Sequence, residues 1–147
     1  MIQEEPTIVK IKFLNDEAMF PYKGTPHSAC WDVWAVSKEV LYDGKVIKYG
    51  LGIAVELPEK TQLDLRPRSS IWKTGLVLTN SVGTIDEDYR GEISAVFYNV
   101  VPELPDYEIG DRIGQIQVVD RKDVVFRETS KLSETIRGEG GFGSTGK

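Results

Sequence analysis

Apolar residues recur at every second position along this chain, in short runs broken by turn residues. Val9, Ile11 and Phe13 alternate with Lys10 and Lys12, and Ile53, Val55 and Leu57 with Ala54 and Glu56. Leu63 and Leu65 alternate with Gln62, Asp64 and Arg66, and Ile93, Ala95 and Phe97 with Glu92, Ser94 and Tyr98. Ile116 and Val118 sit between Gln115, Gln117 and Val119. A period of two predicts strands with one face buried and the polar partners turned outward. Asp43-Gly44, between Val40-Leu41-Tyr42 and Lys45-Val46-Ile47, predicts a two-residue hairpin turn. Pro58-Glu59 and Pro105-Asp106 mark further turns. Only Ser69 to Thr74 reads as a helical turn, with Ser69 or Ser70 able to cap it. Many short strands at near-regular spacing predict an all-β sandwich or barrel. No repeat or internal boundary interrupts it, and the one shift in composition is a glycine-rich C-terminal segment.

Composition narrows the partners. A chain of 147 residues suits one domain with a real core. A net charge of -5 leaves no basic stripe for a nucleic-acid polymer. It does not exclude a single nucleotide held by two or three arginines. Cys30 is the lone cysteine, so no internal disulfide forms, which fits a reducing, cytoplasmic setting. The first residues, Met1 to Pro6, are acidic and lack the apolar stretch of a signal peptide. No apolar run approaches membrane-spanning length, so no membrane partner is expected.

Four internal segments carry more than sheet. In Ala29-Cys30-Trp31-Asp32-Val33-Trp34-Ala35, Asp32 is flanked by two tryptophans and needs a partner if buried; the alternative is a strand that turns Asp32 to solvent. In Arg66-Pro67-Arg68-Ser69-Ser70, a strand stops at proline and delivers a guanidinium and two hydroxyls to a helix start. That combination suits an anion, or simply a capped turn. Thr79 to Ile93 reads as a polar hairpin with glycines Gly83 and Gly91 at its ends. Its acids Asp86, Glu87, Asp88 and Glu92 cannot all pair with Arg90: either this is a solvated turn, or one acid is a base or a metal-water partner and Tyr89 packs against a ligand. In Ile109-Gly110-Asp111-Arg112-Ile113-Gly114-Gln115, Arg112 can pair with Asp111 or with the acidic hairpin. Gln115 offers a neutral amide to a phosphate oxygen or a base edge. His27 and Cys30 are too few for a zinc site. Any metal chemistry therefore uses oxygen ligands and Mg²⁺.

The C-terminal segment, Arg137 to Lys147, contains five glycines in eleven residues. Glycine loses the most backbone entropy on ordering, and only Phe142 offers apolar surface against that loss. Two nucleotide patterns overlap here and both fail. Gly138 to Gly143 fits G-x-G-x-x-G, but no helix or later acidic residue follows; Gly141 to Lys147 fits the start of a P-loop, but no Ser or Thr follows. Alone, such a segment is a mobile tail, or one that orders only on a ligand.

Taken together and in order, these five segments resemble the trimeric, all-β dUTPase family, over Ala29 to Gly146. The resemblance implies a single β domain over residues 1–136, a distorted jelly-roll or barrel-like fold, and a flexible lid over residues 137–147. It implies hydrolysis of dUTP to dUMP and pyrophosphate in a homotrimer with shared sites, with Mg²⁺ riding on the triphosphate. Asp86 then holds the attacking water. Arg68, Ser69, Ser70 and Gln115 meet the triphosphate, and Asp32 reaches the metal through water. Asn80, Gly83, Thr84 and Ile85 form the uracil pocket, with Tyr89 packed on the deoxyribose. From the tail, Arg137 meets the terminal phosphate, Phe142 covers the uracil, and Gly143, Ser144 and Thr145 hold the phosphates. Three positions depart from the family pattern: Cys30 and Ser70 where glycine is common, and Gly114 where alanine is common. None removes a reacting group. Two rival readings stay open: a dCTP deaminase, which shares the Pro-Arg-Ser-Ser segment, and a regulatory binding protein gated by nucleotide.

Overall fold

The computed structural model describes residues 4–144 and 146. Ten strands form among them: β1 (Lys10–Phe13), β2 (Trp31–Trp34), β3 (Ser37–Leu41), β4 (Val46–Gly50), β5 (Ile53–Glu56), β6 (Thr61–Arg66), β7 (Leu76–Leu78), β8 (Gly83–Ile85), β9 (Ser94–Asn99) and β10 (Arg112–Asp120). A single 3-10 turn, Ile71–Lys73, sits between β6 and β7. The pairing is antiparallel throughout. One four-stranded sheet runs β2-β10-β6-β8, a second runs β3-β4-β9-β7, and β1 and β5 form a separate ribbon. The all-β expectation is met, but the sheets stay open. β2, β8, β3 and β7 are edges, and no barrel closes among the described residues.

The alternation read from the sequence sets the core. Val33, Leu63, Leu65 and Ile116 point inward from the first sheet, and Ile47, Tyr49, Leu78, Ala95 and Phe97 from the second. Tyr49, Phe97 and Tyr107 meet edge to face, with ring centroids 5.7 to 6.1 Å apart. That is the favoured geometry for aromatic quadrupoles. The Tyr49 hydroxyl donates to the Tyr107 carbonyl at 2.8 Å and accepts from the Tyr107 N–H at 3.1 Å. It therefore satisfies both backbone groups of a loop residue carried into the core.

Three local expectations were refined. The Asp43-Gly44 hairpin forms with the expected register, Leu41 opposite Val46. Lys45 N–H donates to the Tyr42 carbonyl at 3.2 Å. Asp43 and Gly44 have positive φ, 53° and 83°, as the mirror-image turn requires, and Tyr42 joins them at 51°, so the left-handed stretch begins one residue earlier than a two-residue turn needs. At the 3-10 turn, Ser70 stands at the N-cap without a side-chain cap bond. Its φ of -85° and ψ of 3° lie outside the extended region that a side-chain N-cap adopts, which carries the hydroxyl away from the first N–H groups. Asp64 was grouped with the outward polar residues, yet it is buried. It accepts from Gln62 Nε2 at 3.1 Å and Arg66 Nη2 at 3.2 Å, its same-face neighbours along β6, which crowd over it.

Tyr49→Phe should lower Tm by about 4–10 °C, because two buried backbone groups lose their partner at roughly 1–3 kcal/mol each. An unchanged Tm refutes the bridge. Burial, ahead of the nearby Asp106, pushes the Tyr49 hydroxyl up to about 12, so the unfolded chain releases this proton first. The stabilisation is intact below about pH 10 and declines as pH rises from there towards 12. Denaturant midpoints should show that decline in the parent protein and a shallower one in Tyr49→Phe.

Candidate active site

β2 forms as a strand, and its Asp32 is half-buried rather than solvent-facing. Asp32 pairs with Arg112 Nη1 at 3.2 Å. Arg112 thus takes neither of its expected partners, Asp111 or the hairpin, because the antiparallel register brings β10 against β2. Asp111 instead accepts from the Glu108 N–H at 2.7 Å, closing its own turn. Gln115 is opposite Asp32 on one side and Arg66 on the other. Its amide donates to the Pro67 carbonyl at 3.1 Å and so steadies the bend where β6 ends. From that bend Arg68 Nη1 reaches the Arg112 carbonyl at 3.4 Å. Ser69 is exposed and Ser70 half-buried just beyond. The structure therefore gathers Asp32, Arg68, Ser69, Ser70 and Gln115 at one end of the first sheet. A guanidinium, two hydroxyls and an amide are offered there on rigid strand ends, a set suited to phosphate oxygens.

A cleft of about 420 Å³ opens beside this group, lined by Trp34, Arg68, Tyr107, Gly110, Asp111 and Arg112. Asp32 lies outside that lining and is paired with Arg112 of the cleft wall, and no group of three or more metal-type side chains occurs among the described residues. A lone carboxylate fits a Mg²⁺ that keeps most of its waters and takes its other ligands from a phosphate chain.

The hairpin lies elsewhere. β8 pairs with β6 at Leu65–Gly83, Asp64–Thr84 and Leu63–Ile85. Asp86 follows β8 and so falls beside Gln62, four residues back along β6 from Arg66. At the rise of an extended strand this is about 13 Å. Within one chain, Asp86 and the arginine-serine loop therefore stand at opposite ends of β6, while the Gly83 side of the hairpin pairs near the loop, at Leu65.

The hairpin itself is tied down. Tyr89 N–H donates to the Asp86 carbonyl at 3.1 Å, and the Tyr89 hydroxyl to the Glu92 carbonyl at 2.9 Å. Glu92 accepts from the Gly52 N–H at 2.9 Å. Asn80, Thr84 and Tyr89 are exposed, Ile85 is half-buried and Gly83 is buried. Asp86 is exposed and makes no ion pair among the described residues. Sequence reading left Glu87 as a surplus acid; the structure gives it Arg121, 34 residues away, at 2.8 Å. No local pattern marks that pair.

The C-terminal segment packs against nothing of its own chain's core. Phe142 is fully exposed, as are the preceding Phe126 and Ile136. Arg137 Nε donates to the Gly140 carbonyl at 2.8 Å in a local turn. Gly143 and Ser144 are exposed, and Thr145 lies outside the described residues.

A model of the dUTPase family matches residues 16–146. A deoxyuridine 5'-triphosphate nucleotidohydrolase of Rickettsia felis is 41% identical over 144 residues, covering 95% of this chain and 97% of that protein. One from Clostridium tetani is 38% identical over 140 residues, with the same coverages. Among solved structures, a Staphylococcus bacteriophage 80alpha dUTPase with dUpNHpp superposes with a TM-score of 0.81 at 24% identity, covering 95% of this chain and 99% of that one. A mutant dUTPase of phage phi11, described for its coordination of a structural Mg(II) ion, superposes at 0.72 and 20% identity over 85% of this chain and 98% of that one.

A Cβ at Gly91 would lie 2.5 Å from the Tyr89 hydroxyl oxygen and 2.7 Å from Cζ. Gly91→Ala should therefore expel the Tyr89 ring. The Tyr89 ring resonances should shift in NMR while Tm moves by no more than about 2 °C, as for a surface change. A ring left in place would refute the packing.

Proposed function

The chain belongs to the dUTPase family and hydrolyses dUTP, and we propose that it does so by attack of water on the α-phosphate, releasing dUMP and pyrophosphate. The observation that carries this reading is the Asp86 carboxylate, exposed and unpaired among the described residues on a hairpin whose backbone is otherwise tied down. A carboxylate so placed can orient a water and take its proton as the P–O bond forms. Arg68, Ser69, Ser70 and Gln115 bind the phosphates and offset their repulsion of the nucleophile. Mg²⁺, when bound to the triphosphate, supplies further charge neutralisation, and Asp32 is the residue that would hold its water shell. Asn80, Gly83, Thr84 and Ile85 line the uracil pocket, and Tyr89 bars the 2'-hydroxyl. The tail closes last: Arg137 on the terminal phosphate, Phe142 over the base, Gly143, Ser144 and Thr145 along the phosphates. Closure excludes bulk water and strengthens each contact. The lone Cys30, half-buried and free, fits a cytoplasmic setting.

The roughly 13 Å of β6 between the Asp86 end and the phosphate loop supports sites completed by a second copy. The exposed apolar residues Val124, Val125, Phe126, Leu132 and Ile136 support an arm that is covered by a neighbour. We read the assembly as a homotrimer, with hairpin, phosphate segments and tail each from a different subunit.

Asp86→Asn should cut kcat for dUTP by about 10²–10⁴-fold while a non-hydrolysable dUTP analogue still binds. Pyrophosphate release from dUTP, UTP, dTTP and dCTP with Mg²⁺ is the assay. More than a tenth of parental kcat in the variant removes Asp86 as the base, and equal kcat/KM for UTP removes Tyr89 as the sugar gate.

Sharing is tested by complementation. Asp86→Asn and a truncation ending at Ile136 should each be nearly inactive. Refolded together in equal amounts, about a quarter of sites should recover if subunits mix at random, because a working site needs its hairpin from one chain type and its tail from the other. No recovery in trimers shown to be mixed would reject shared sites and leave the activity standing.

A further inference from the structure

Glu87, next to Asp86, makes contacts that the proposed chemistry does not use. Its carboxylate accepts from the Lys60 N–H at 2.9 Å and from Arg121 Nη2 at 2.8 Å. Its carbonyl accepts from Arg90 Nη1 at 2.8 Å. Arg121 in turn donates its N–H to the Lys60 carbonyl at 2.7 Å, and Lys60 Nζ pairs with Asp123 at 3.1 Å. Lys60 itself sits at φ 60°, a left-handed conformation that a side chain adopts at a cost. Three segments therefore converge on one point: the turn after β5, the hairpin tip, and the exit of β10 into the C-terminal arm. The hydrogen bond from Arg121, then that from the Lys60 N–H, holds the Glu87 carboxyl below its ordinary range.

Exposed ion pairs contribute little to stability. A strained residue bracketed by two hydrogen bonds and an ion pair is better explained by geometry. Misplacing a reacting group by about 1 Å can cost on the order of 100-fold in rate. Asp86 has no side-chain tether among the described residues, so its position depends on the backbone that Glu87 anchors.

We propose that Glu87 is a positioning residue, which fixes the hairpin tip against the Lys60 turn and the β10 exit so that Asp86 stands in one place and the C-terminal arm leaves in one direction. This rests on the role given to Asp86 above.

Two variants separate positioning from general support. Glu87→Leu keeps the size and removes both acceptor bonds. Glu87→Gln keeps a carbonyl oxygen for the Lys60 N–H and loses only the charge. In Glu87→Leu, kcat for dUTP should fall by about 10- to 100-fold. The Kd for a non-hydrolysable dUTP analogue should stay within about twofold and Tm within about 3 °C, as for a surface substitution. Glu87→Gln should retain at least about a third of parental kcat, since the hydrogen bond that sets the tip survives. The inference is overturned if Glu87→Leu keeps more than half its kcat, if rate and binding fall together, or if glutamine is as damaging as leucine. Asp86→Asn is run beside them. A fully active Asp86→Asn removes the base and this inference with it; an inactive Asp86→Asn beside a fast Glu87→Leu removes this inference alone.

Discussion

Four residue steps along β6, from Gln62 to Arg66, separate the end that receives Asp86 from the end that delivers Arg68. A strand cannot shorten, because its rise is fixed by the extended backbone and its ladder to β10 and β8 fixes the register. The two chemical halves are therefore built on one rigid element and kept apart by it. Each half gains precision, since strand ends move less than loops. On the proposed reading, neither half is complete alone. In the proposed trimer the same strand serves two different sites, one at each level. The edge position of β8 leaves its hairpin accessible to another copy.

Much of this was legible in the chain. The core residues follow from period-two alternation, because one face of each sheet is buried and the other is not. Asp43-Gly44 announced its turn because few residues accept positive φ twice in succession. The phosphate-facing group was legible as residue types, and the structure adds their common location at one end of the first sheet. What could not be read were pairings across long separations. Asp32 with Arg112 spans 80 residues, and Glu87 with Arg121 spans 34. Neither leaves a local trace, since only the register between β10 and its neighbours brings the partners together. Asp64 illustrates the other limit. Alternation assigns a face, but burial on that face depends on how large its neighbours are.

The two halves also differ in how they treat charge. At the proposed phosphate end, Arg112 is already engaged by Asp32, and its carbonyl accepts from Arg68. The local guanidiniums are thus partly neutralised and oriented before any ligand arrives. At the hairpin, Glu87 is consumed by Arg121 and Lys60, Glu92 by Gly52, and Asp86 by nothing among the described residues. Of the four acids in that loop, Asp86 and Asp88 are both left unpartnered among the described residues, and Asp86, beside the anchored Glu87, is the one assigned the proton transfer. Pairing Glu87 and Glu92 lowers their repulsion on Asp86.

In the proposed trimer, a site divided in this way needs a closing element that can cross between subunits. A rigid strand would suit the reach but would trap the product, since ordering would already be complete before substrate bound. A glycine-rich segment does the opposite. Its entropy opposes ordering, so it closes only when phosphate and base contacts offset that loss, and it opens again as those contacts are divided between two products. The arm that precedes it has the contrary composition, with Val124, Val125, Phe126, Leu132 and Ile136 exposed on the single chain. Five apolar residues are suited to permanent burial against a neighbour, and five glycines to transient contact with a ligand. Under the proposed trimer, the change in composition near Arg137 marks where an assembly element gives way to a catalytic one. The Glu87–Arg121 contact stands at the other end of that arm, where its direction is set.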